Sequence, residues 1–154
     1  MYSKHHAAVS FVVALLVAYA LPPVSIAGVS LPIALVVAYG TAVGVLVDLD
    51  HFLIARLKTG TWDAVRFCCS NPAAAVADQR RIFDRGDVGV LSRLLSHLVI
   101  AGVFVPLLSV VSVPLAVLTA AVLYVHFVSD LAWDIWRLDR YADVSADELV
   151  RAMR

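Results

Sequence analysis

The chain has 154 residues, of which 62% are hydrophobic and 16% charged; its formal net charge is zero and its mean hydropathy is +0.88. Soluble domains carry about 25% charged residues, so this composition excludes an ordinary water-soluble fold. No basic helix points to nucleic acid as a partner. The charge is also blocked: neither residues 7–47 nor residues 94–129 contain Asp, Glu, Lys or Arg. Apolar runs of about 20 residues match the ~30 Å hydrocarbon layer of a bilayer. The expected fold class is therefore all-α, a polytopic membrane protein of one domain.

In chain order, the first helix is expected over residues 6–22. LPPVSIAGVS (Leu21 to Ser30) then supplies two prolines, a glycine and two serines, a composition that reverses the chain. Ala18-Tyr19-Ala20 also fits a signal-peptide cleavage pattern, but Pro22 and Pro23 fit a hairpin turn, which is the preferred reading. A second helix is expected over 30–51. The loop 56–93 follows, with TWDAVRF and PAAAVADQRRIF as short interfacial helices announced by Thr61-Trp62-Asp63 and Asn71-Pro72-Ala73. Helices three and four are expected over 90–110 and 114–136, parted by SVVSVP (Ser109 to Pro114), with a tail over 137–154.

All twelve Lys and Arg lie at the N-terminus, in the 56–93 loop or after helix four. Short basic loops stay cytoplasmic, which predicts an inner-membrane, multi-pass protein with both termini inside. Trp62, Phe67, Phe83, Trp133 and Trp136 suit an aromatic belt at that level. Cys68 and Cys69 would face the cytosol and stay reduced.

The five histidines share one side. His5 and His6 begin helix one, His51 ends helix two beside Asp48 and Asp50, His97 follows Arg93 by one turn, and His126 precedes Asp130 by four residues. Residues three or four apart share a helix face. His126 with Asp130 therefore makes a two-ligand clamp, which Asp134 extends outward, and Asp48 with His51 makes another. Asp50 would point elsewhere on a regular helix, free to orient His51, take a second metal or cap the loop. Ionisable groups inside a span are costly and face a polar cavity. Imidazole and carboxylate together suit zinc, manganese or iron, and an open coordination position makes hydroxide near neutral pH. Arg93 beside that layer can hold an anionic oxygen.

These elements, His6 (or His5), Asp48-Leu49-Asp50-His51, Arg93-Leu94-Leu95-Ser96-His97 and His126-Phe127-Val128-Ser129-Asp130, taken in order, resemble the YdjM-like family of small inner-membrane metal-dependent hydrolases. The chain departs from the family in two places. Val47 stands where a proline commonly precedes the first Asp, and SRLLSH lacks the first histidine of the third element. That family is similar in helical pattern to zinc-dependent phospholipase C and the related single-strand nucleases, whose His-x-x-x-Asp/Glu pairs surround clustered zinc ions. The resemblance implies a divalent metal, most readily zinc, and hydrolysis of a phosphoester or lipid headgroup at the inner leaflet.

The expected metal ligands are His6, Asp48, His51, His97, His126 and Asp130. Asp50 is expected as a further ligand or as the base that positions water, and Arg93 as the group that meets developing negative charge. The alternative is a non-enzymatic membrane protein whose His/Asp layer is a structural metal site, a hydrogen-bond network or an ion pathway. Few polar residues continue through the other half of the bilayer, which weakens the pathway.

Overall fold

Helix α1, Ser3–Ala20, opens the computed structural model, which describes residues 3–73, 79–84 and 86–152, without the side chains of residue 80 and residues 139–152. Pro22 and Pro23 follow α1 and cannot donate the N–H that another helical turn needs. The chain reverses instead through a small hairpin, β1 (Ser25–Ile26) against β2 (Val29–Ser30), in antiparallel register Ser25 to Ser30 and Ile26 to Val29. Its turn residues Ala27 and Gly28 have φ of 49° and 80°. Both are left-handed, as a two-residue type I′ turn requires.

Pro32 then starts α2, Ile33–Leu46, because its fixed φ suits a helix start and its missing N–H is not needed there. A 3₁₀ turn, Val47–Leu49, joins α2 to α3, Asp50–Thr59, and the three run as one apolar rod of 27 residues. The rod passes the expected end at residue 51 and stops at Gly60. There a φ of 77° lets the Gly60 N–H reach the Arg56 carbonyl at 3.0 Å, a left-handed helix stop that glycine adopts without strain. Helix α4, Asp63–Ser70, matches the segment expected from TWDAVRF. Of the helix expected over 72–83, residues 74–78 lie outside the described residues; Gln79–Arg81 forms a 3₁₀ turn and the remaining described residues are turn or bend. Helix α5, Val90–Val111, and α6, Val113–Ala152, are separated by Ser112 in an extended conformation. No glycine or proline follows Pro114, and α6 continues unbroken beyond residue 136.

Among the described residues, four helical stretches are long and apolar enough to cross a membrane: Ser3–Ala20, Ile33–Thr59, Val90–Val111 and Val113–Leu138. Large apolar side chains cover their outer faces, among them Leu16, Leu35, Leu98, Leu107 and Val110. This arrangement fits a multi-pass membrane protein. Helix α6 is central, packing on α1, α2 and α5, while α1 also packs on α2 and α3 on α5. The buried core comprises Ala14, Val24, Val36, Val37, Leu115, Leu118 and Val122.

Within lipid, close packing of small residues holds helices together, since burying apolar surface gains little there. Gly40 and Gly44, one turn apart on α2, supply that packing. A methyl group at Gly40 would stand 2.6 Å from Ala14 Cβ and 3.0 Å from Leu118 Cδ2; at Gly44 it would overlap Ser10. The backbones of α1, α2 and α6 are therefore drawn close, which fixes the level at which their polar ends meet.

A candidate metal centre

The start of α1, the α2–α3 junction, the second turn of α5 and the middle of α6 converge on one polar layer. The junction does the local work. At about 3.0 residues per turn, positions three apart in a 3₁₀ turn eclipse one another. Asp48 and His51 are thus aligned, with His51 Nε2 3.5 Å from Asp48 Oδ1. The same overwinding turns Asp50 toward α5, where its Oδ2 accepts hydrogen bonds from Ser96 Oγ and, at 2.8 Å, from His97 Nδ1. Its other oxygen lies 3.7 Å from His51 Nε2. Asp50 stands behind His97 rather than pointing away.

Deepest in the layer are His6, His126 and Asp130, each at most 2% exposed. His6 Nε2 is 3.2 Å from Asp130 Oδ1 and 3.8 Å from Asp48 Oδ2. His126 Nε2 is 3.3 Å from Asp48 Oδ1 and 3.6 Å from Asp130 Oδ2. The His6 and His126 rings stack with centroids 3.9 Å apart. Nearer the surface, His97 Nε2 is 3.3 Å from Asp48 Oδ1, and the His51 and His97 rings stack at 5.5 Å. His5, by contrast, turns toward Trp133, with ring centroids 6.3 Å apart.

The hydrogen bonds fix the imidazole tautomers. His126 Nδ1 donates to the Gly44 carbonyl at 2.8 Å, and His97 Nδ1 donates to Asp50. Carbonyl and carboxylate oxygens offer no proton, so each Nδ1 carries the hydrogen and each neutral ring keeps its lone pair on Nε2. Those two Nε2 atoms lie 3.3 Å apart. Both also face Asp48 Oδ1, which accepts no hydrogen bond, and His6 Nε2 and His51 Nε2 are likewise buried without a hydrogen-bond partner. Lone pairs therefore converge on lone pairs. A cation relieves that, and so does a second proton on the rings.

Donor spacing suits the cation. Four donors at bond lengths of about 2.0–2.2 Å around a tetrahedral ion stand roughly 3.3–3.6 Å apart; individual imidazole–carboxylate separations here are 3.2–3.8 Å, and the ligand atoms of each set all lie within 4.8 Å of one another. Among the described residues, two sets of side chains can hold an ion: His6, Asp48, His126 and Asp130, and Asp48, His51 and His97. Backbone carbonyl and carboxylate groups behind His126 and His97 are the usual supports of metal-bound imidazoles.

Arg93 lies at the edge of the layer. Its Nη2 is hydrogen-bonded to Asp134 and its Nε is 3.4 Å from Asp130 Oδ2. Two carboxylates already engage the guanidinium expected to meet developing negative charge. Cys68 and Cys69 are free thiols. Partial burial and, after it, the neighbouring Cys69 push the Cys68 thiol up from its ordinary value, which leaves it unactivated.

The six ligand candidates named from sequence spacing come together in this layer. Sequence reasoning did not name Gly44, whose carbonyl orients His126, or the pairing of Ser96 with Asp50. A signal for the first existed in the small-residue repeat Gly40-x₃-Gly44; none existed for the second, which depends on the phase of the 3₁₀ turn. No family model, curated protein or solved structure matches the chain.

Proposed function

We propose that this chain is a membrane-bound, metal-dependent hydrolase whose His/Asp site lies at the cytoplasmic membrane face and acts on a phosphoester or lipid headgroup. The observation that carries the reading is the convergence of imidazole Nε2 lone pairs, two of them fixed by Nδ1 hydrogen bonds, on the unbonded oxygen of Asp48. His6, Asp48, His51, His97, His126 and Asp130 would hold the metal, with zinc favoured by mixed imidazole–carboxylate sets of three and four donors. A dication there supplies Lewis acidity and an acidified water near neutral pH. The residues of the chain do the rest. Asp50 and the Gly44 carbonyl hold the His97 and His126 rings in the ligating tautomer, and the apolar walls of α1, α2 and α6 exclude bulk water. Sidedness follows from the Lys and Arg distribution, and the ordered motifs resemble the YdjM-like hydrolases.

A second reading draws on the Arg93 pairing. A guanidinium engaged by Asp130 and Asp134 belongs as naturally to a structural ion network with protonated histidines. The test is hydrolysis of a phosphoester panel, soluble and lipid-borne, by the detergent-purified chain before chelation, after it, and after zinc is restored. The hydrolase reading predicts turnover that chelation abolishes and zinc restores. Metal retention without turnover of any substrate would leave the structural reading.

A further inference from the structure

The two ligand sets are not equivalent, and they share one residue. Asp48 Oδ2 faces His6 at 3.8 Å, while Oδ1 faces His126 of the same set at 3.3 Å and also His51 at 3.5 Å and His97 at 3.3 Å of the other. Its Oδ1 thus stands between the two sets, as a bridging carboxylate oxygen does. Each set contains a buried imidazole nitrogen that lacks a hydrogen-bond partner, His6 Nε2 in one and His51 Nε2 in the other. Filling one set alone leaves the other nitrogen without a partner.

We propose that the layer takes two cations in unequal positions that share Asp48: a closed one held by His6, Asp48, His126 and Asp130, and an open one held by Asp48, His51 and His97, where a phosphate oxyanion binds. The proposal rests on the metal-binding reading above and adds the number of ions and their division of labour.

Donor count separates the positions. Four protein donors complete a tetrahedral shell and characterise structural sites, whereas three leave a place for water or substrate. Access separates them in the same sense. His6, His126 and Asp130 are sealed, but Asp48 and His51 are each 16% exposed. The Phe83 ring meets His51 edge-on, with centroids 6.1 Å apart. Each set also has its own support, Gly44 behind His126 and Asp50 with Ser96 behind His97.

Charge ties a second ion to a bound anion. Asp48, Asp50, Asp130 and Asp134 share a layer in which Arg93 offsets a single negative charge. One dication leaves that group negative. A second brings it past neutrality and leaves the open position attractive to an anion. Uncompensated charge at this depth is strongly disfavoured.

The experiment uses the full chain in detergent, loaded with cobalt(II), whose visible absorption reports coordination. The proposal expects two ions per chain, released to chelator in two phases of equal amplitude, one fast and one slow. Inorganic phosphate in one arm, and a phosphatidate carried in the micelle in another, should perturb the spectrum of the fast-released ion. The arm that responds identifies whether the oxyanion is soluble or lipid-borne. His51→Ala should remove the fast phase and the phosphate response, and His6→Ala the slow phase. One ion per chain, a single release phase, no spectral response to either phosphate, or a phosphate response that survives His51→Ala would overturn the proposal while leaving metal binding intact. No bound ion at all would overturn the metal reading beneath it. Should His51→Ala fail to fold, the stoichiometry, release phases and phosphate response of the parent decide alone.

Discussion

The two ends of the bundle handle polar groups in opposite ways. At the hairpin end, Thr119 is fully buried yet satisfied: its hydroxyl donates to the Leu115 carbonyl one turn back and lies 2.9 Å from Tyr39 Oη. Thr41 donates to Val37 in the same manner, and Ser25 and Ser30 pair across the hairpin. These are neutral groups that complete one another. At the other end the buried groups are imidazoles and carboxylates, and the unbonded atoms of His6, His51 and Asp48 face each other. A polar group within a membrane helix is uninformative when its own backbone satisfies it. It becomes informative when its neighbours supply lone pairs and nothing between them supplies a proton.

The sharpest way to break this contrast is Asp48→Asn. Asp48 belongs to both ligand sets, so the variant should lose metal altogether, as elemental analysis of the purified protein would read. If it keeps the metal of the parent, the polar layer is no more a ligand site than the hairpin end is.

Gly44→Val comes next. Its side chain would displace Ser10, and such overpacking destabilises by about 1–3 kcal/mol, visible as a lowered unfolding midpoint in detergent. The variant also shifts the carbonyl that orients His126, so metal retention should fall with stability. A stability loss without any change in metal would separate the packing from the site.

Removing the support behind His97 should act more gently. Asp50→Asn or Ser96→Ala leaves the ligating atoms in place, and loss of such a support typically weakens metal binding by about 10–100-fold. Competition against a chelator of known affinity measures it. An unchanged affinity would move Asp50 out of the supporting role.

Tyr39→Phe should have the smallest effect. An interhelical hydrogen bond in a membrane is worth about 0.6 kcal/mol, so the unfolding midpoint should barely move and metal content should stay at the parent level. A metal defect here would mean that the two ends are coupled through α2 and α6.

How much of this was legible in the sequence differs between the same two ends. The spans, the reversal after Pro22 and Pro23, and the break before Pro114 follow from composition and from the few residues that cannot continue a helix. Four-residue spacing sufficed to put His126 and Asp130 on one face. The role of Asp50 was not legible, because the 3₁₀ turn at Val47–Leu49 changes the phase of every residue after it. Nor could spacing reveal that Arg93 is taken up by Asp130 and Asp134, or that His6 rather than His5 faces inward. Those outcomes depend on how the helices meet in three dimensions, where small residues such as Gly40, Gly44 and Ser10 bring α1 and α2 close to each other and to α6.

The most direct test is the metal content of the detergent-purified chain, measured by mass spectrometry beside His126→Ala. The account predicts near-stoichiometric or higher divalent metal in the parent and its loss in the variant. A folded parent that holds no metal even after reconstitution, or equal content in both proteins, would contradict it.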